Sequence, residues 1–127
     1  MEGINFLNNP VPYNSSDIFV VHISGINNKN ELLKQLNNKL LFPDYFGFNW
    51  DSLLDVLCDF HWIKQREILI IHDDLPSLDK TNFKTYLEIL FEAINTWKNW
   101  ENGQIHYLEV VFPEQNKKLI QQLGHYI

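Results

Sequence analysis

The chain has 127 residues, of which 45% are hydrophobic and 20% are charged, so it is long enough for one domain with a buried core and is not disordered or fibrous. Its formal net charge of −6 disfavours direct nucleic acid binding and favours a basic partner. Cys58 is the single cysteine, which excludes an intrachain disulfide. The chain begins without a signal-like segment, and its apolar runs are too short to cross a bilayer, so we expect a cytoplasmic protein without membrane association.

The first half of the chain predicts one strand and two helices. Residues 1–16 are rich in Asn and Pro, and we expect them to form an irregular N-terminal arm. Residues 18–23 form a short β-branched run that is typical of a buried strand. Apolar spacing predicts a helix to Leu41, capped by Asn28 or Asn30, and a second helix over residues 49–62.

The second half predicts two further strands and two helices. The strands are expected over residues 68–71 and 107–112, and a long amphipathic helix is expected over residues 80–100. Residues 113–127 are expected to form a C-terminal helical extension, with its helix over 116–126. The order predicts one α/β domain over residues 1–127, with a small three-stranded, mostly parallel sheet flanked by about four helices.

The second helix combines an apolar side with an acidic stripe. Helical spacing places five residues on the side that is expected to pack inward on the core, namely Trp50, Leu53, Leu54, Leu57 and His61. Asp51, Asp55 and Asp59 follow one another at intervals of four on an adjoining side, where like charges repel. No lysine or arginine lies between residues 42 and 63 to relieve them. The stripe is either a solvated acidic face or a surface that a cationic cleft neutralises.

The loop before this helix places three aromatic residues beside a glycine, in the run Asp44-Tyr45-Phe46-Gly47-Phe48. Aromatic side chains in loops are frequent anchors of protein interfaces. They can also simply cover the core, and for Phe48 we favour the core.

Residues 41–55 resemble the signature of the barstar family. The resemblance depends on the spacing of Pro43, Gly47, Asn49, Asp51 and Asp55, and the order of elements fits the family from about residue 17 to 112. It implies a barstar-like fold and a function as an intracellular inhibitor of a ribonuclease. In that family the second helix and the loop before it plug the cationic active site of the enzyme.

The same resemblance implies which residues contact the partner. Tyr45 corresponds to a tyrosine that packs on the enzyme, Asp55 to an aspartate in the phosphate-binding site, and Asp51 to an aspartate one turn earlier. Leu54 aligns with an interface tryptophan of the family. Further implied contacts are Phe46, Gly47 and Asn49, and Glu88 or Glu92 would take the part of a glutamate on the third helix of the family. Trp50 and Asp59, on the same helix, are added as further candidates, with solvated surface as the alternative for Asp59.

The expected partner is therefore a basic ribonuclease or a nuclease-type toxin, and the protein would be an immunity protein. The alternative is a regulatory module with the same fold and a partner that is not a nuclease. No cofactor is expected for either function.

Other chemistry is less well supported by the sequence. The histidines and Cys58 lack the spacing of a metal site, and we expect structural roles for His22, His61 and His106. His72-Asp73-Asp74 follows a strand and is the best candidate for an enzyme site, although a polar exit turn is favoured. We therefore expect that the protein is not an enzyme.

Overall fold

A computed structural model describes residues 3–7, 17–100 and 105–124. The strands are β1 Ile4–Leu7, β2 Ile18–Ile23, β3 Glu67–His72 and β4 Tyr107–Pro113. The helices are α1 Lys29–Leu40, α2 Trp50–Leu57, α3 Lys80–Lys98 and α4 Lys117–Leu123, with a short 3-10 turn at Glu114–Asn116. Within the described ranges no helix is long and apolar enough to span a membrane.

The sheet has the order β1-β4-β3-β2, and all neighbouring strands are parallel. The predicted α/β class is confirmed, with four strands where three were expected. The additional strand, β1, lies in the segment predicted to be an irregular arm, and that prediction is wrong for Ile4–Leu7. Ile4 is buried and pairs with Val110, so long-range pairing makes a strand of a segment that carries little local signal.

The main core lies between the helices and one face of the sheet. Strands contribute buried apolar side chains at alternate positions, such as Ile68 and Ile70 in β3. Each such side chain stabilises the fold by roughly 2 kcal/mol through its removal from water. The C-terminal extension joins the core through Ile120, which is fully buried in α4. The helix ends at Leu123 and not at residue 126, and residues 125–127 lie outside the described part.

The second helix is shorter than predicted. It ends at Leu57, and Phe60 then adopts a left-handed backbone conformation with φ 47°. The indole Nε1 of Trp97 donates a hydrogen bond to the Leu57 carbonyl at 2.8 Å, which satisfies a carbonyl left free at the helix end. The prediction that His61 lies on an apolar helix face is therefore wrong, because His61 follows the helix and is exposed.

Side-chain hydrogen bonds fix α2 against α3 at both ends. Near its start, Trp50 Nε1 donates to Asn82 Oδ1 at 3.2 Å, and near its end Trp97 bonds to Leu57. The two helices therefore run side by side in the same direction. This arrangement holds the outer face of α2 in a defined position on the molecule.

A candidate protein-binding site on the second helix and its preceding loop

Local hydrogen bonds attach the preceding loop to the start of α2. Asn49 is the N-cap, and its Oδ1 accepts from the Ser52 amide at 2.8 Å. The Gly47 amide donates to Ser52 Oγ at 2.7 Å, and Asn49 Nδ2 donates to the Gly47 carbonyl at 3.2 Å. A Cβ atom at position 47 would lie 3.2 Å from Asn49 Nδ2, so the glycine permits this close approach. The loop and the helix are thus held as one unit.

Two aspartates project from the outer face of α2. Asp51 lies in the first turn, where the helix dipole favours a carboxylate, and Asp55 lies one turn later. Both side chains are exposed, and neither has an ion-pair partner among the described residues. Together with the half-exposed Tyr45 they form what we call the acidic surface.

The third acid of the predicted stripe, Asp59, is placed differently. It lies beyond the end of α2, where it accepts hydrogen bonds from the Tyr45 hydroxyl and from His61 Nδ1, the latter at 2.9 Å. Desolvation disfavours the Asp59 carboxylate, but these two hydrogen bonds, together with the charge and the backbone amide of His61, outweigh it and lower the pKa of Asp59. Asp59 therefore orients Tyr45, a contact that was not predicted from the sequence, because it joins the segment before α2 to the segment after it.

Glu92 on α3 influences Cys58, the residue that follows α2. Burial raises the pKa of the Cys58 thiol, a hydrogen bond with Thr96 opposes this shift, and the charges of Glu92 and Asp55 raise the pKa further. Glu92 is exposed, whereas Glu88 is only partly exposed. Of the two glutamates considered from the sequence, Glu92 is the one whose charge reaches the surroundings of Asp55.

Three of the predicted contact residues lie at least partly beneath the surface. Phe46 is only 6% exposed, which leaves mainly its backbone for direct contact. Trp50 is partly buried between the Lys29 ammonium, 5.2 Å from the ring centroid, and the ring of Tyr86. Leu54 is partly buried and packs against the core. These side chains support the loop and the helix from the inside.

Phe48 is not part of the core, so the interpretation favoured from the sequence is wrong. Its side chain is 49% exposed, and its backbone is left-handed with φ 54°. Apolarity alone suggested burial, but the left-handed backbone at this position leaves half of the side chain exposed, with the ring centroid 4.8 Å from that of Phe46.

The family model described as Barstar (barnase inhibitor) matches residues 16–111, which is well over half of the chain. This chain belongs to the barstar family. A search of curated proteins found no relative that matches it. Barstar family proteins are inhibitors and not enzymes, in agreement with the expectation drawn from the sequence.

The candidate enzyme site of the sequence analysis is not assembled in this barstar family protein. His72 is buried: its Nδ1 donates to the Val111 carbonyl at 2.9 Å, and its Nε2 accepts from the Tyr86 hydroxyl at 2.7 Å. Burial lowers the pKa of His72 to about 4, so the ring is neutral near pH 7. Asp73 instead pairs with His22 at 2.8 Å. His72 is thus an internal structural group rather than part of an open site or an exposed turn.

The structure also bears on metal binding, for which the sequence offers no ligand spacing. In the part of the chain that the structure describes, no group of three or more His, Cys, Asp or Glu side chains is placed to hold a metal ion. His106 is buried and contacts the rings of Phe60 and Trp97, which fits its predicted structural role. His125 lies outside the described residues.

Proposed function

We propose that this barstar family protein is an intracellular inhibitor of a basic ribonuclease, which it blocks by inserting the acidic surface into the active-site cleft. The enzyme is either secreted by the same cell or delivered to it as a toxin. The observation that carries this proposal is the pair of exposed carboxylates, Asp51 and Asp55, on a helix that is fixed at both ends.

The electrostatics of the acidic surface support this mode of inhibition. A ribonuclease gathers Arg, Lys and His side chains to bind phosphate, and a carboxylate held rigidly in that site accepts charge-assisted hydrogen bonds from them. No lysine or arginine between residues 42 and 63 competes for these carboxylates. The net charge of −6 also favours rapid association with a basic enzyme.

Each part of the site has a distinct role in the proposal. Asp55 occupies a phosphate subsite of the ribonuclease, and Asp51 binds cationic side chains of the enzyme at the edge of that subsite. Tyr45, oriented by Asp59, packs its ring on the enzyme. Asn49 and Gly47 hold the loop at the start of the helix, so little conformational entropy is lost on binding.

Side chains around this centre complete the contact area. Leu54 offers an apolar contact in place of a large aromatic one. Phe46 and Trp50 act from beneath, by supporting the loop and the first turn of α2. Glu92 reaches the enzyme from α3, at the far end of the acidic surface.

The test is an inhibition assay against a panel of basic ribonucleases that includes barnase. We expect the parent protein to inhibit at least one member, and Asp55→Ala to weaken that inhibition by about a hundredfold or more, since it leaves cations of the enzyme buried and unpaired. Glu67→Ala is the matched control, because it removes an exposed carboxylate from β3 and not from the site.

Two results would contradict the proposal. If Asp55→Ala inhibited as well as the parent, the acidic surface would not be the inhibitory site. If the parent inhibited no basic ribonuclease, the regulatory module with a partner that is not a nuclease would become the better hypothesis. Circular dichroism of each variant would show that the changes in inhibition do not come from unfolding.

A further inference from the structure

The α1–α2 loop, residues 41–49, exposes two large apolar side chains in addition to Tyr45. Leu41 is 64% exposed and Phe48 is 49% exposed. Both residues have left-handed backbones, with φ of 57° and 54°. This conformation is unfavourable for bulky residues and is readily adopted by glycine. Glycine would therefore suit the backbone at both positions better than the residues that are present.

Phe60 provides a comparison within the same chain. It also has a positive φ, 47°, but its side chain is 0% exposed. Its ring packs against Trp62 and Trp97, so core packing offsets the cost of the backbone conformation. No comparable burial offsets that cost at Leu41 or Phe48. The stability of the core therefore does not explain why large apolar residues stand at these two positions.

A row of aromatic rings holds Phe48 in place from the inside. The ring centroid of Phe48 lies 4.8 Å from that of Phe46, which lies 4.8 Å from that of Phe42. Phe42 in turn contacts Trp62, whose Nε1 donates to the Leu40 carbonyl at 2.9 Å. The exposed ring is therefore supported before any partner binds, which reduces the entropic cost of using it as a contact.

These apolar side chains belong to the same loop as Tyr45, which is part of the acidic surface. Tyr45 lies between them in the loop, and Phe48 directly precedes Asn49, the N-cap of α2. The Tyr45 hydroxyl donates a hydrogen bond to Asp59, just beyond the end of α2. Burial raises the pKa of Tyr45, and this bond with the nearby charges of Asp59 and Asp55 raises it further. A partner that covers Asp55 and Tyr45 therefore extends toward the rest of the loop.

We propose that Leu41 and Phe48 form an apolar contact surface for the same ribonuclease, and that it receives an apolar or aromatic side chain on the rim of the enzyme's basic cleft. This inference rests on the proposed function. Carboxylates bind many basic clefts, whereas an apolar contact requires a matching shape. Leu41 and Phe48 therefore select which ribonuclease the protein prefers.

The test uses Leu41→Gly and Phe48→Gly, because glycine accepts the observed backbone conformation while it removes the side chain. Leu119→Ala is the control, since it shortens a side chain that is 43% exposed on α4. Dissociation constants are measured with the tightest-binding ribonuclease of a panel that includes barnase. Measurements are made at low ionic strength and at about 1 M salt, where charges are screened beyond roughly 3 Å.

We expect each glycine variant to weaken binding by about tenfold, because apolar area is lost from the contact. The factor by which each glycine variant weakens binding should be the same at both salt concentrations. The loss of affinity caused by Asp55→Ala should be smaller at high salt. Leu119→Ala should bind like the parent. The melting temperatures of the glycine variants should be unchanged or higher, because the backbone strain at positions 41 and 48 is relieved.

Two outcomes would overturn this inference and leave the proposed function intact. In the first, both glycine variants bind the ribonuclease as tightly as the parent, while Asp55→Ala binds weakly. In the second, sedimentation shows that the parent forms a dimer that Phe48→Gly dissociates, with unchanged affinity for the nuclease. Loss of binding in the glycine variants but not in Asp55→Ala would instead contradict the proposed role of the acidic surface.

Discussion

The Tyr45 hydroxyl donates a hydrogen bond to the Asp59 carboxylate, and this bond joins the loop before α2 to the turn after it. His61 Nδ1 donates to the same carboxylate and lies 2.9 Å from each of its oxygens. The aromatic side chain proposed to pack on the ribonuclease is therefore oriented by an acid that lies outside the helix. Asp59 contributes to the site through Tyr45, whereas Asp51 and Asp55 remain open to a partner.

Replacing Tyr45 with Phe should raise the pKa of Asp59 toward its ordinary value. Desolvation already disfavours the Asp59 carboxylate, and the variant removes the Tyr45 hydrogen bond, which with the interactions of His61 outweighs desolvation. In the parent the pKa of folded Asp59 is lowered, so its stabilising contribution is complete above the ordinary pKa of about 3.9 and is lost as pH falls through the folded pKa. An NMR titration of the Asp59 carboxyl carbon in both proteins measures the change, and equal pKa values would contradict the assigned bond.

The buried His72 should make the fold sensitive to mild acid. Its pKa is lowered to about 4 by burial, with only the Val111 carbonyl and the charge of Asp73 opposing this shift. Between about pH 6.5 and 4 the unfolded chain binds a proton that the folded chain excludes, so the free energy of unfolding falls by roughly 3 kcal/mol over this range.

A matched variant isolates the contribution of His72. His72→Gln can keep hydrogen bonds to Tyr86 and Val111 but does not titrate, so its stability should depend less on pH between about 4 and 6.5. Urea denaturation at a series of pH values compares the two proteins. Parallel curves for parent and variant would show that His72 is not the source of the acid sensitivity.

Asp51 and Asp55 should have opposite effects on the stability of the free protein. Asp51→Asn removes a charge that stabilises the N-terminus of α2 by about 0.5 kcal/mol, but it also relieves about 0.3 kcal/mol of repulsion with Asp55, so unfolding should become easier by about 0.2 kcal/mol. Asp55→Asn removes repulsion between carboxylates one turn apart, so the protein should gain about 0.3 kcal/mol. Chemical denaturation at low ionic strength measures both changes, and about 1 M salt should reduce them. Destabilisation by both substitutions would contradict this assignment.

The hydrogen bond from Trp97 to the Leu57 carbonyl should be necessary for the position of α2. Trp97→Phe keeps an aromatic ring in the core but leaves that carbonyl without its donor, at a cost of about 2 kcal/mol. Trp100→Phe is the control, because Trp100 is exposed and stacks on Trp97 at 5.0 Å. Equal stability of the two variants would show that this bond does not hold the end of the helix.

The beginnings of elements were easier to predict than their ends. Asn49 caps α2 as expected, because capping depends on residues within one turn. The end of α2 at Leu57 depends on Trp97, which lies 40 residues away in sequence. β1 was missed for the same kind of reason, since Ile4 gains its strand conformation by pairing with Val110.

The site shows the same division between local and long-range information. The exposure of Asp51 and Asp55 follows from their helical spacing, which local sequence determines. The exposure of Phe48 depends on a left-handed backbone that its side-chain chemistry does not indicate. The bond between Tyr45 and Asp59 could not be predicted, because it requires α2 to end before Asp59.

The most direct test of the proposed inhibition is whether the protein and a substrate analogue can occupy the ribonuclease at the same time. A fluorescent, non-hydrolysable dinucleotide bound in the active site reports its own displacement as the protein is added. We expect the parent to displace it completely, and Asp55→Ala to require a concentration about a hundredfold higher or more. A stable ternary complex of enzyme, analogue and parent protein would contradict the insertion of the acidic surface into the active site.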